Sequence, residues 1–165
     1  MRTLITTLAA ATLLSATPAL AAVSGSDRTF AAEAAQGGVA EIQLGQLALQ
    51  KAASPQVKEF ANRMVTDHTT ANQELAGVAK TEKLSLPAEP DARQKSDMER
   101  LSGLTGNAFD TAYMKQMVQD HEKTVAAFQK EAQTGRDPEL KAFAQKYLPV
   151  LRQHLQMAQA SQTKG

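Results

Sequence analysis

The sequence predicts an all-α protein, a four-helix bundle with a long crossover between helices two and three. Three observations lead there. One stripe, Val57, Phe60, Met64, His68, Ala71 and Leu75, recurs at spacings of three and four, the period of a single helix face. Two stretches open on a favoured N-cap followed by proline, Ser54-Pro55 and Asp137-Pro138, which suits the first turn of a helix. Long Val, Ile and Thr runs that would favour strands are missing, and the chain has no Trp and only 4% aromatic residues.

The first residues carry the three parts of a secretory signal. Arg2 is the only charge, an apolar run extends from Leu4 to Leu14, and Pro18 precedes the A-x-A pattern Ala19-Leu20-Ala21. The run is too short to span a bilayer, which takes about 20 residues. Cleavage is expected after Ala21, leaving residues 22–165 as one domain located in the periplasm or secreted.

Helix one is expected over 27–53, capped by Ser26 or Asp27. Helix two runs from the Ser54 cap to about residue 80, after which Pro87 and Pro90 break the pattern. A short helix fits 91–102 and ends at Gly103 and Gly106. Helix three is expected over 108–133, with Asn107 as its cap, Asp110 completing a near capping box, and Gly135 closing it. Helix four opens at Asp137-Pro138 and carries the stripe Leu140, Phe143, Ala144, Tyr147, Leu151, His154, Leu155 and Ala158. The tail beyond Ala160 is polar.

Residues 54–63 match 137–146 position by position in character, including Phe60-Ala61 and Phe143-Ala144. The chain thus reads as two copies of one αα-hairpin. The segment between them, 81–107, is long for a turn. A helix of ~26 residues is ~39 Å long, and a connection of this length can return along it. The resulting up-down-down-up order is that of ferritin-like folds.

Composition narrows the function classes. Without Arg2, the 18 basic residues fall level with the 17 acidic ones. A near-neutral chain is a poor match for nucleic acid, which needs a basic face, and for a polybasic membrane-surface protein. No segment beyond the signal is apolar enough for a membrane span. With no cysteine, stability comes from packing rather than disulfides, and thiol chemistry is excluded. A homo-oligomer is compatible with the sequence, and protein partners are not legible in it.

One cluster carries chemistry. The three histidines, His68, His121 and His154, fall one each on helices two, three and four, every one on the apolar stripe. Helix one offers Glu41 on the face of Leu44 and Ala48 instead. Glu41 and His68 are about equally far from the Ser54 cap, and His121 and His154 from the Asp137 cap, so each pair should be level across its hairpin. With the turns at opposite ends, all four groups fall near mid-bundle. Three neutral imidazoles and a carboxylate there can hold one metal ion, with copper, iron and zinc as the candidates.

Taken singly, a histidine on an apolar stripe is more often a hydrogen-bonded core residue than a ligand, and a lone Glu more often a solvated one. The combination on separate helices is what favours the metal. Asp67 and Asp120, each directly before a histidine, point ~100° away on the helix and read as outer partners or surface charges. Glu122 reads as surface. Met64, Met117 and Met157 share faces with the histidines; gap-filling core is favoured for them over thioether ligation of copper. No G-x-S-x-G, Walker, H-E-x-x-H or dinucleotide motif is present, so no catalytic residue is assigned. A hydrolase built on a His–Asp pair would lack a nucleophile.

Five stretches resemble the bacterial exported family called domain of unknown function 4142, which is related to ferritin-like bundles. They are 30–41 ending in Glu41, 60–68 ending in His68, 109–114 with Tyr113, 117–121 ending in His121, and 148–154 ending in His154. The resemblance implies a ferritin-like four-helix fold and no established activity. Di-iron bundles of that type use Glu-x-x-His on two helices. Here Val65 and Leu151 stand three residues before His68 and His154, which argues against a di-iron oxidase. Two functions follow for testing: a metal-binding bundle for metal handling or redox and stress protection, and a non-enzymatic structural or interaction protein of the envelope with core histidines and no metal.

Overall fold

The computed structural model describes residues 23–162. The expected signal and its cleavage point lie outside the described residues. Within them the chain is helical, with five helices and no strand: α1 Gly25–Lys51, α2 Pro55–Thr81, α3 Ala92–Ser102, α4 Gly106–Thr134 and α5 Pro138–Gln162. Four are long, as the stripes predict. The fifth is α3 inside the crossover, where a short helix over 91–102 is expected from the sequence.

The helix starts differ from expectation in an informative way. Ser24, not Ser26 or Asp27, caps α1, its side chain accepting from the Asp27 amide. Thr105 stands at the N-cap of α4 without a side-chain cap, so Asn107 is not the cap and Asp110 forms no capping box there. Ser54 also makes no cap bond; its hydroxyl donates to Gln56 Oε1 at 2.8 Å. Asp137 does cap α5, with Oδ1 accepting from the Leu140 amide at 2.9 Å. A reciprocal capping box of Asp91 and Gln94 starts α3, and its Leu101 is fully buried in the core.

Two aspartates near helix starts that do not cap their own helices tie the hairpins together. Asp110 accepts from the Ala53 and Ser54 amides at 3.1 and 2.8 Å, in the turn between α1 and α2. Asp27 accepts from the Asp137 and Arg136 amides at 2.9 and 3.4 Å, in the turn between α4 and α5. Each carboxylate thereby satisfies turn amides that would otherwise lack partners. Burial pushes the Asp27 carboxyl up, but the Asp137 amide, the Ser24 hydroxyl, the Arg136 amide and the Ser26 hydroxyl together hold it below its ordinary value.

These contacts also fix direction. The end of α1 lies beside the start of α4, and the start of α1 beside the end of α4. The two helices are therefore antiparallel, and the hairpin turns sit at opposite ends. Close approach within the first hairpin depends on glycine: a Cβ on Gly45 would lie 2.9 Å from the Ala61 carbonyl oxygen.

Two apolar clusters fill the interior. One gathers Leu44, Phe60, Met64, Phe109, Tyr113 and Met117; the other gathers Phe30, Leu75, Phe128, Phe143, Tyr147 and Leu151. On each long helix a single buried polar residue falls between the members of the two clusters: Glu41, His68, His121 and His154. The core therefore has a polar waist.

Candidate metal centre

The waist brings the three histidines together. One ring nitrogen from each of His68, His121 and His154 lies within 4.8 Å of the others. Ring centroids are 5.8 Å apart for His68 and His121, 5.5 Å for His68 and His154, and 5.4 Å for His121 and His154. The rings are 7%, 1% and 1% exposed in chain order. Glu41 is buried beside them, its Oε1 3.8 Å from His121 Nδ1.

Hydrogen bonds set the tautomers. His121 Nδ1–H donates to the Met117 carbonyl at 2.9 Å, which leaves Nε2 with a free lone pair. His154 Nε2–H donates to Asp67 Oδ2 at 2.8 Å, which leaves Nδ1 free. The remaining atoms, His121 Nε2, His154 Nδ1 and His68 Nε2, are buried without a partner. A buried nitrogen acceptor with no donor is costly. A ring with one nitrogen tied to a carbonyl or carboxylate and the other bare is the usual arrangement of a metal-ligating histidine. The donor set fits a metal ion.

The environment keeps these rings neutral. Burial, then the neighbouring His121 and His154, holds His68 well below its ordinary value. Burial and then His154 lower His121 to about 4, against the Met117 carbonyl. His154 is lowered by burial, with Asp67 opposing. Glu41 is pushed well above the carboxylate range, by burial first and the Asp120 charge second.

Not every candidate sits as its sequence position suggests. Glu41 lies against the Nδ1 side of His121, whose Nε2 is the bare atom, and it stands outside the three-nitrogen group. Its Oε2 has no partner. Asp67 partners His154 across the bundle, not its sequence neighbour His68, and Arg63 Nε anchors it at 3.3 Å. Asp120 reaches Gln116 and Arg93 rather than a histidine. Met64 and Met117 pack within the apolar cluster, and the sulfur of Met157 lies 3.8 Å from Arg63 Nη1. The Asp67–His154 pair was missed in the sequence; its only local signal is the i, i+4 spacing of Arg63 and Asp67.

Fold and waist together define a helical protein with a buried group of three histidines in metal-ligand reach. The chain belongs to the family described as Domain of unknown function (DUF4142), whose model matches residues 12–160. Among solved structures it is similar to a DUF305 fragment from Deinococcus radiodurans, with TM-score 0.76 and 14% identity over 87% of this chain and 99% of that one. A DUF305 protein from Streptomyces coelicolor aligns with TM-score 0.69 and 13% identity, over 81% and 88%. CopM in its Cu(I)-bound form aligns with TM-score 0.69 and 22% identity, over 83% and 96%. At these identities the likeness shows the fold alone. No curated protein matches the sequence.

Proposed function

We propose that this chain is an exported helical bundle of ferritin-like topology that binds one metal ion through His68, His121 and His154. Glu41 stands beside the site as a fourth group, and the role is metal handling or redox and stress protection in the cell envelope. One observation carries the reading: three buried imidazoles each offer a ring nitrogen within 4.8 Å of the others, and each ring has a buried nitrogen without a partner. Neutral donors with no carboxylate among them favour a soft ion of low charge, because the cost of burying a cation grows steeply with its charge. CopM, crystallised with Cu(I) and with Ag, supports testing copper first among copper, iron and zinc.

Export rests on the expected signal segment. Among the described residues no helix is long and apolar enough to cross a membrane. The bound ion would supply Lewis acidity or redox capacity; the chain's own part is to present three lone pairs, to hold two ring orientations through Met117 and Asp67, and to exclude water. Elemental analysis of protein purified without a metal-affinity tag and exposed to each ion tests this. About one metal per chain is expected, lost in His121→Ala. A wild-type chain that retains none of the three metals would overturn the reading and leave the metal-free envelope protein in its place.

A further inference from the structure

The two hairpins correspond residue by residue. Ser54 answers to Asp137, Pro55 to Pro138, Phe60 to Phe143 and, in the structure, Asp27 to Asp110 as the two cross-hairpin latches. Carried to the waist, the same correspondence sets Gly38 against His121, Ala71 against His154 and Leu151 against His68. Where one half of the waist carries imidazoles, the other carries a hydrogen, a methyl group and an isobutyl group. A cavity of about 310 Å³ lies there, with Gly38, Ala71 and Leu151 in its wall.

His68 and His154 also form part of that wall, whereas His121 does not. A molecule in the cavity therefore touches the histidine group directly. Three protein ligands leave a fourth position on a four-coordinate ion, the arrangement of sites that take an exogenous ligand. Phe30, Phe128, Phe143 and Tyr147 supply aromatic surface in the same wall, which suits a flat ring through edge and stacked contacts. The volume is at the low end for ligand pockets and is ample for one small ring.

Resting on the metal site above, we propose that this cavity is a second binding site, for a small neutral azole held beside the metal ion with its ring among the aromatic side chains. Charge in the wall is of both signs: the Asp67, Arg93 and Asp120 side chains are 29%, 50% and 15% exposed. With Glu33, Glu41 and Asp91 also in the wall against Arg93 and Lys123, acidic groups outnumber basic ones, which disfavours an anion; a cationic ring has no lone pair to offer a metal ion, so a neutral ligand is the better match.

The probe is 1-methylimidazole, titrated calorimetrically into Cu(I)-loaded and metal-free protein, with metal retention followed by dialysis. The expected result is one-to-one uptake by the loaded wild type alone, with the metal retained. Ala71→Leu and Thr124→Leu, which fill the cavity from two helices, should weaken that uptake by about tenfold or more while keeping the metal-induced rise in melting temperature. No uptake by loaded protein, equal uptake without metal, displacement of the metal, or undiminished uptake in both variants would each overturn the azole site. A wild type that binds no metal is a different failure, and it falls on the metal reading itself.

Discussion

The two hairpins are alike at their ends and unlike at their middles. Each begins with an aspartate that reaches across to the other's turn, Asp27 to the Arg136 and Asp137 amides and Asp110 to those of Ala53 and Ser54. Each also places Phe-Ala inside its second helix. At mid-height the likeness stops: α4 and α5 supply His121 and His154 where α1 and α2 have Gly38 and Ala71. What the halves share is what assembly requires. What they do not share is the histidine group and the cavity, and function is to be sought there.

Removing a latch is the strongest way to test the shared part. Asp27→Ala strips partners from two amides at a fully buried position and should cost about 3 kcal/mol, and Asp110→Ala about 2 kcal/mol. Urea unfolding of both variants measures this; unchanged midpoints would mean that the latches are incidental.

The waist should respond to acid in the metal-free protein. With His121 lowered to about 4 in the fold and an ordinary value of 6.5 when unfolded, the unfolded chain takes up the proton first. Stability is therefore lost as pH falls from about 6.5 to about 4, by up to about 3 kcal/mol from this ring alone. His68 adds in the same direction. Glu41 opposes them. Its folded carboxyl holds a proton that the unfolded chain releases above about pH 4.5, so this group costs stability at neutral pH and costs nothing once the unfolded carboxyl is protonated too. Glu41→Gln should thus stabilise the metal-free protein at pH 7 and lose that advantage below about pH 4.5. Melting curves across this range decide it; a Gln variant that is less stable at pH 7 would show that the carboxyl is not held protonated.

The smallest contrast lies at the two equivalent helix starts. Asp137→Ala removes a true N-cap and should cost about 1 kcal/mol, whereas Ser54→Ala should cost a few tenths, or about 0.3 kcal/mol. Equal losses by thermal unfolding would show that Ser54 caps α2 in solution after all.

Helices and stripes were legible because their signals are local. Ser54-Pro55, Asp137-Pro138 and the spacing from Val57 to Leu75 need no tertiary context. The three histidines were legible as a group because distance from a turn gives height along the bundle. Height does not give rotation about a helix axis, which is why the sequence does not show that Glu41 lies against the Nδ1 side of His121. Asp27 and Asp110 were misread for a related reason. An aspartate near a helix start has an adequate local use as a cap, and nothing nearby in the sequence indicates amides 56 to 110 positions away. The Asp67–His154 pair, 87 positions apart, is hidden in the same manner.

The central claim is that the unlike middles hold a metal ion. Thermal unfolding with and without Cu(I) or zinc tests it most directly, in the wild type and in His68→Ala, His121→Ala and His154→Ala. A ligand that binds only the folded state raises its melting temperature. The wild type should show such a rise at pH 7, weakening only as pH falls toward about 4, where protons begin to compete for the His121 lone pair, and each substitution should abolish most of it. Melting curves that no metal moves, with the three substitutions merely lowering stability in buffer, would contradict the account and leave the histidines as core residues.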